Sequence, residues 1–233
     1  VFFAPAYTAP LRLHVPTVLT IHDLSYMAHP EWFPPREGIR RRFLTRRAAA
    51  RARAVIAVSQ FSRGEIIARL ALPPERVHVI PQGIDPPKAE LATGTEPRIL
   101  YVGSIFNRRH LPDLIRAFAA LLNAHPAATL DIVGDNRTHP YEDIQGLVQA
   151  EALAGRARYH QYVSATRLAE LYAGARAFVF LSEYEGLGTT PLEALAIGVP
   201  PVVVDTPVAR ETLGDAALYV PCGNVPATER ALE

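Results

Sequence analysis

The hydrophobic positions of the second half of the chain alternate between short apolar runs and longer amphipathic stretches. Apolar runs of strand length lie at residues 99–102, 129–133, 178–181 and 199–204. Between the first two runs, apolar residues recur every three or four positions over 111–122, which is helical spacing. Strands that alternate with helices predict an α/β fold with a parallel sheet covered on both faces. Ligands of such sheets bind at the carboxyl ends of the strands.

The first part of the chain shows the same alternation. Its pattern predicts three strands, at 15–21, 54–58 and 77–80, and two helices, at 36–53 and from Ser59 to about Leu70. Ser59 fits the N-cap of the second helix, and Ser62 with Glu65 fits a capping box.

The two halves are joined by a stretch rich in Pro, Gly, Ala and Thr that has no periodicity. We therefore predict an N-terminal domain over residues 1–88, a linker at 89–96 and a C-terminal domain over 97–233. Because the chain begins with Val1 and stops at Glu233 in an apparent helix start, we expect a piece cut at both ends.

The most informative segment follows the run at 178–181, which reads as a buried strand. It contains E-G-L-G-T-T-P-L-E from Glu185 to Glu193, and Pro191 suits the first turn of a helix. The loop therefore brings unpaired N–H groups and a helix N-terminus together, an arrangement that attracts anions. Flanking carboxylates suit a ligand that carries hydroxyls on either side of its phosphates, such as a nucleotide-sugar. The alternative is an ordinary strand-to-helix turn with two solvent-facing glutamates.

This segment resembles the signature of the retaining, glycogen-synthase-like glycosyltransferases of family 4. Their pattern E-G-F-G-x-x-x-L-E-A-M-A-x-G-x-P-V-V is matched here by E-G-L-G-T-T-P-L-E-A-L-A-I-G-V-P-P-V-V. The resemblance implies the GT-B fold, two Rossmann-like domains facing across a cleft, here with an incomplete N-terminal domain and without the last helices. It also implies that Glu185 holds sugar hydroxyls and that Glu193 holds the ribose. The loop residues that would hold the sugar and phosphates are Gly186, Leu187, Gly188, Thr189 and Thr190.

Three further segments extend the resemblance over nearly the whole chain. In T-I-H-D-L the family places a histidine at the sugar, and this role falls on His22. In the loop after the strand at 99–102, Arg109 takes the position of a family lysine, with Arg108 beside it, and such cations stabilise the leaving diphosphate. Q-Y-V-S resembles a family segment that lies near the base, so Val163 is expected to contact the base, although Gln161 replaces a glycine of that segment. The alternatives are a solvated basic loop and a turn role for the His-Asp pair.

The resemblance implies retaining transfer of a hexose from a nucleotide-sugar to a saccharide or lipid-linked acceptor. The segments look nearest to bacterial mannosyltransferases, so we expect GDP-mannose as the donor. We expect no cofactor and no metal, since the family needs none and the sequence has no Asp-x-Asp motif. Two other classes stay open: a non-catalytic GT-B protein that binds nucleotide-sugars, and a GT-B epimerase.

Composition and charge add limits on partners and location. The net charge of +1 gives no argument for nucleic acid, and we expect no such partner. The single Cys222 fits a reducing compartment, and no apolar run reaches 18 residues, so we expect a cytoplasmic location or the cytoplasmic face of a membrane. Residues 36–53 hold eight arginines and one acid, which fits either a solvated helix face or peripheral contact with anionic lipid.

Overall fold

The computed structural model describes residues 1–10, 12–85, 97–151, 153 and 155–233. The chain divides into two compact units. Unit 1 comprises Val1–Gly83 together with Tyr184–Gly188, and unit 2 comprises Ile84–Glu183 and Thr189–Glu233. The predicted linker at 89–96 lies outside the described residues.

Unit 1 is built on a parallel sheet of four strands in the order β1-β2-β3-β4. The strands are β1 (Phe2–Ala4), β2 (Thr17–Ile21), β3 (Ala54–Ala57) and β4 (Val77–Val79). The helices are α1 (Ser25–Ala28), α2 (Pro35–Arg51) and α3 (Gln60–Leu70). Leu19, Ile21, Val55 and Ile66 are fully buried between the sheet and its helices, which accounts for the apolar runs of the sequence.

The start of helix α3 corrects one sequence expectation. Ser59 is the N-cap, as predicted, and its hydroxyl accepts the Ser62 N–H at 3.0 Å. Ser62 and Glu65 form no capping box, because Ser62 already lies inside the helix. The Glu65 carboxylate instead pairs with Arg69 at 2.5 Å, one turn further along the helix.

Unit 2 is built on a parallel sheet of six strands in the order β10-β9-β8-β5-β6-β7. The strands are β5 (Arg98–Val102), β6 (Thr129–Val133), β7 (Ala157–His160), β8 (Ala175–Phe180), β9 (Pro201–Val204) and β10 (Leu218–Val220). The helices are α4 (Leu111–Leu121), α5 (Ile144–Ala150), α6 (Ala165–Ala173), α7 (Thr189–Ala196), α8 (Pro207–Leu213) and α9 (Val225–Leu232).

The direction in which the unit 2 sheet grows reverses between β5 and β8. The chain first adds β6 and β7 on one side of β5, then returns to add β8, β9 and β10 on the other side. The loops that follow β5 and β8 therefore diverge at a topological switch point, where open α/β sheets bind their ligands.

The core of unit 2 includes one buried charged group. Asp131 on β6 is 1% exposed, and its carboxylate lies 2.9 Å from His160 Nε2 and 3.3 Å from Arg98 Nε. These partners come from the strands on either side, β7 and β5, so the carboxylate joins three strands. A buried carboxylate needs such partners because desolvation without them is costly.

One predicted helix is shorter in the structure than in the sequence pattern. The pattern favours a helix over 141–153, but α5 begins only after Asp143, whose side chain accepts the Gly146 N–H at 3.0 Å. A capping aspartate fixes where a helix begins. The pattern also predicts a strand at 157–160 and a helix from Ser164 to Leu171, which are found as β7 and α6, but it gave no prediction for β1, α1, α8 or β10.

Candidate functional site

The structure places the predicted site residues in two groups. Unit 2 holds the basic loop, the base-contact segment and the start of α7, with Arg108, Arg109, Val163, Thr189, Thr190 and Glu193. Unit 1 holds His22 together with the loop residues Glu185, Gly186, Leu187 and Gly188.

Arg109 is the most firmly positioned cation of unit 2. Its guanidinium donates to the Ser104 carbonyl at 2.6 Å and lies 4.7 Å from the ring centroid of Phe180 and 5.5 Å from that of Phe106. The Arg108 guanidinium also lies over the Phe106 ring, 4.3 Å from its centroid. Cation–π contacts help to hold these side chains in place, so the loop after β5 carries two oriented guanidinium groups at the switch point.

The opposite side of the switch point is the start of helix α7, which follows β8. Pro191 lies in the first turn of this helix, as the sequence predicts. Thr189 and Thr190 are half-buried, and the Thr190 hydroxyl oxygen is buried without a hydrogen-bond partner among the residues described. A buried hydroxyl of this kind, at a helix N-terminus, can donate to an anionic oxygen.

Glu193 is half-buried one turn into α7. Its Oε2 accepts a hydrogen bond from the Tyr172 hydroxyl at 3.1 Å. Desolvation raises the pKa of Glu193, and the bond from Tyr172 opposes that rise by lowering the pKa. The carboxylate keeps a second oxygen to accept hydroxyl donors, as a ribose contact requires.

The base-contact segment lies at the end of β7. Val163 is half-buried and packs against the core of unit 2, while Tyr162 beside it is 85% exposed. Gln161, which replaces the family glycine, lies 3.3 Å from Asp135 through its side-chain amide. The segment therefore offers an apolar surface with an adjacent amide.

In unit 1, His22 directly follows β2. Its Nε2 lies 2.9 Å from the Pro5 carbonyl oxygen, which can only accept. The proton of a neutral ring is therefore on Nε2, and Nδ1 is left as an acceptor for a hydroxyl. Asp23 has a structural role, since it accepts from the Tyr7 hydroxyl at 2.8 Å and from the Ser25 N–H at 2.8 Å.

The signature loop packs against the start of α3 in unit 1. The Gly186 carbonyl accepts from the hydroxyls of Ser59 at 2.6 Å and Ser62 at 3.0 Å. A Cβ on Gly186 would overlap the carbonyl oxygen of His22, so this close approach requires glycine. Leu187 is buried, Glu185 is half-buried, and Gly188 adopts a positive φ of 80°.

Sequence reasoning missed the residues that hold the predicted ones in place. Phe180 supports Arg109, Tyr172 binds Glu193, and Ser59 with Ser62 binds the loop. Only Ser59 carried a usable signal, its N-cap position. Ser104, at a position where some family members have an arginine, contributes its backbone carbonyl, which accepts a hydrogen bond from Arg109.

The surface of α2 carries exposed arginines, including Arg36, Arg40 and Arg47. Ile39 and Phe43 on the same helix are 60% and 52% exposed. Among the residues that the structure describes, no helix combines the length and apolar character needed to cross a bilayer.

Comparison with known proteins follows the same division of the chain. Residues 85–233 match the family model of glycosyl transferases group 1, and residues 1–88 match that of glycosyltransferase family 4. The chain is 29% identical to O-antigen chain mannosyltransferase B of Escherichia coli, over 97% of this chain and 62% of that protein. It is 29% identical to the GDP-mannose:cellobiosyl-diphosphopolyprenol alpha-mannosyltransferase of Xanthomonas oryzae, over 70% of this chain and 43% of that protein.

Solved structures show the same fold. The structure of Anabaena Alr3699/HepE in complex with UDP-glucose superposes with a TM-score of 0.77 at 20% identity, covering 93% of this chain and 61% of that one. Sucrose-phosphate synthase from Thermosynechococcus elongatus gives a TM-score of 0.76 at 23% identity, covering 95% of this chain and 58% of that one. The chain thus spans about three fifths of the length of several proteins that it matches. With a family model matched over residues 85–233, it belongs to the glycosyl transferases group 1 family.

Proposed function

We propose that this chain is part of a retaining glycosyltransferase that moves a hexose from a nucleotide-sugar to a saccharide or lipid-linked acceptor. The observation that carries the proposal is that a basic loop and a helix N-terminus meet at the switch point of the unit 2 sheet. Arg109 follows β5, the N-terminus of α7 follows β8, and β5 and β8 are neighbours in the sheet. A nucleoside diphosphate fits this position, with its phosphates near the arginines and its ribose near Glu193.

The reaction that this arrangement favours is departure of the nucleoside diphosphate. Negative charge grows on the diphosphate as the glycosidic bond breaks, and fixed cations and N–H dipoles stabilise it without reorganising. Arg108 and Arg109 meet this need because their guanidinium groups are positioned over the rings of Phe106 and Phe180 in the loop after β5 and at the end of β8. We therefore propose chemistry without a catalytic metal or cofactor. The retained stereochemistry follows from the family resemblance.

We propose GDP-mannose as the donor. The E. coli relative is named as a mannosyltransferase, and the name of the Xanthomonas relative includes GDP-mannose and a diphosphopolyprenol. The latter name also supports a lipid-linked acceptor. HepE was solved with UDP-glucose, so a uracil base is the alternative, and Gln161 is the residue on which the choice of base is expected to depend.

Titration of the chain with GDP, UDP and ADP tests the site, and sugar transfer from GDP-mannose by the full-length protein and its variants tests the activity. Arg109→Ala is expected to lower transfer by about 10²–10³-fold, as loss of one transition-state donor does. Arg167→Ala is the matched control, because Arg167 is exposed on α6 and pairs with Glu170. Turnover of Arg109→Ala within about twofold of the control would show that Arg109 does not contribute to transfer. Binding without transfer would favour the non-catalytic reading, and UDP-sugar hydrolysis would favour the epimerase.

We also propose that α2 contacts anionic lipid on the cytoplasmic side of a membrane, where a lipid-linked acceptor would be reached. Its exposed arginines flank exposed Ile39 and Phe43, a combination that suits an interfacial helix. Sedimentation with phosphatidylserine vesicles should fall after the double change Arg40→Glu and Arg47→Glu. The control is Arg156→Glu with Arg158→Glu on the exposed surface of unit 2. Equal sedimentation of both variants would leave α2 as a solvated face.

A further inference from the structure

Three side chains with metal-ligating atoms meet at the carboxyl edge of the unit 2 sheet. His110 Nε2 lies 3.3 Å from Glu183 Oε1 and 3.3 Å from Cys222 Sγ, and that sulfur lies 3.8 Å from Glu183 Oε2. When one ligand atom is taken from each residue, the three atoms all lie within 4.8 Å of one another. His110 precedes α4, Glu183 lies shortly after β8, and Cys222 lies between β10 and α9, so three separate loops converge.

The separations between these side chains are close to those around a tetrahedral ion. Zinc binds imidazole nitrogen at about 2.0–2.1 Å, carboxylate oxygen at about 2.0–2.2 Å and thiolate sulfur at about 2.3 Å. Tetrahedral angles then place the ligand atoms about 3.3–3.6 Å apart. The two Glu183 separations belong to different oxygens, 3.3 Å from Oε1 to His110 Nε2 and 3.8 Å from Oε2 to Cys222 Sγ. A rotation of the carboxylate would bring one oxygen beside both the nitrogen and the sulfur, which already lie 3.3 Å apart.

The orientation of His110 is a second, independent observation. Its Nδ1 lies 3.4 Å from Asp113 Oδ2, one helical turn further along α4. Metal-ligating histidines usually donate their other ring N–H to a carboxylate, which fixes the tautomer and directs the free nitrogen to the ion. Asp113 is placed for this role, and it leaves Nε2 directed at Glu183 and Cys222.

We propose that His110, Glu183 and Cys222 bind a divalent cation of the zinc class, with water as the fourth ligand. Thiolate and imidazole select zinc over magnesium or calcium, which prefer oxygen ligands alone. Binding releases the thiol proton to solvent, since the thiolate is the ligand. Cys222 is exposed, which leaves room for the water.

The ion would act as a clamp rather than as a catalyst. The Glu183 N–H donates to the Arg108 carbonyl at 3.0 Å, so fixing Glu183 also fixes the loop that carries Arg108 and Arg109. The clamp would tie this loop to the start of α4 and to the segment before α9. The role of this cation would be structural, and the proposed chemistry at the donor does not require it.

The test uses the metal-free chain and Zn²⁺ alone, in competition with a chromophoric chelator. We expect one equivalent to bind, and Cys222→Ala and His110→Ala each to lower the affinity more than about 100-fold. Loss of a residue that only hydrogen-bonds to a metal ligand lowers the metal affinity by about 10–100-fold, which is less than the effect expected for a ligand. Asp113→Asn should therefore lower the zinc affinity by about 10-fold. His125→Ala is the matched control, an exposed histidine beyond the end of α4, and should change nothing.

Co²⁺ supplies a readout that a structural role of these residues would not change. The wild-type complex should show a thiolate-to-cobalt charge-transfer band, which Cys222→Ser, a replacement of similar size, should abolish. Circular dichroism of each metal-free variant checks folding. Binding weaker than that of the chelator, affinity that survives Cys222→Ala within about threefold, or a cobalt complex without the thiolate band would each overturn the proposal.

Discussion

At the scale of single residues, Glu193 combines a binding role with a cost in stability. Desolvation raises its pKa above the ordinary glutamate value, so the charged form is disfavoured in the folded chain. Stability therefore falls as pH rises from the unfolded value, about 4.3, through the raised folded value, and the cost is present in full above it. A half-buried carboxylate with such a cost in stability is expected at a ligand-binding site.

Replacing Glu193 should separate these two effects. A charged hydrogen bond contributes about 1.5–3 kcal/mol, so Glu193→Gln should weaken nucleotide diphosphate binding by about tenfold to a hundredfold. At pH 7 the same change should raise the thermal midpoint, because it removes the desolvated charge. Glu170→Gln, on the exposed surface of α6, is the control. Calorimetric titration that gives unchanged affinity would rule out the ribose contact.

Removing the Tyr172 hydroxyl should shift the pH dependence of binding. That hydroxyl is the hydrogen-bond donor that lowers the pKa of Glu193, so Tyr172→Phe should raise this pKa further. Affinity is lost as pH falls through the folded pKa, and the loss should begin at a higher pH in the variant. Any effect of phosphate ionisation in the ligand is the same for the wild type and for Tyr172→Phe, so a difference between their pH profiles comes from the protein. Superimposable profiles of dissociation constant against pH would show that Glu193 does not contact the ligand in its charged form.

His22 tests whether the chain takes part in transfer or only in binding. It belongs to unit 1, whereas Arg108, Arg109 and Glu193 belong to unit 2. In the full-length protein with its acceptor, His22→Ala should lower transfer from a nucleotide-sugar at least tenfold, while the affinity for free nucleotide diphosphate stays within about twofold. His78→Ala, exposed on β4, is the control. A parallel loss of nucleotide affinity would make His22 a structural residue.

At the scale of elements, the signature loop depends on contacts with α3 that only glycine permits. Gly186→Ala should displace the loop, break the bonds from Ser59 and Ser62 and destabilise unit 1 by about 1–3 kcal/mol, as overpacking does. Gly64→Ala is a matched control on α3, where an added Cβ meets nothing within 4 Å. That control should be neutral or stabilising by up to about 1 kcal/mol. Equal thermal midpoints for the two variants would contradict the packing described here.

The sequence predicts elements well where the pattern is local and poorly where contacts are distant. Strand β6 is found at Thr129–Val133 as predicted, because five successive buried positions leave little choice. Arg109 and Glu193 were identified by motif, but Phe180 and Tyr172 were not. Their contacts depend on β5 lying beside β8 and on α6 lying near α7, and neither neighbourhood can be read from local periodicity.

At the scale of the whole molecule, the described residues form two separate hydrophobic cores, one in each unit. Asp131 lies in the core of unit 2, so removing it should destabilise that unit. Asp131→Ala leaves Arg98 and His160 without their carboxylate and should cost about 3–5 kcal/mol. In calorimetry we expect the unit 2 transition to move down by many degrees. Asp135→Ala is the control, because this carboxylate lies in the loop after β6, is 44% exposed and pairs with Arg137 at the surface.

Unit 1 is discontinuous along the chain, and this affects how it is made. Ser62 and its acceptor Gly186 are 124 residues apart, a distance that a ribosome covers in roughly 6–25 s. During that interval the emerging N-terminal part lacks Tyr184, whose ring later lies 5.4 Å from His29 and 5.6 Å from Phe61. The nascent chain therefore exposes aromatic side chains until the signature loop arrives. Chaperone contact is expected there first, and translation pauses before residue 184 would prolong the exposure.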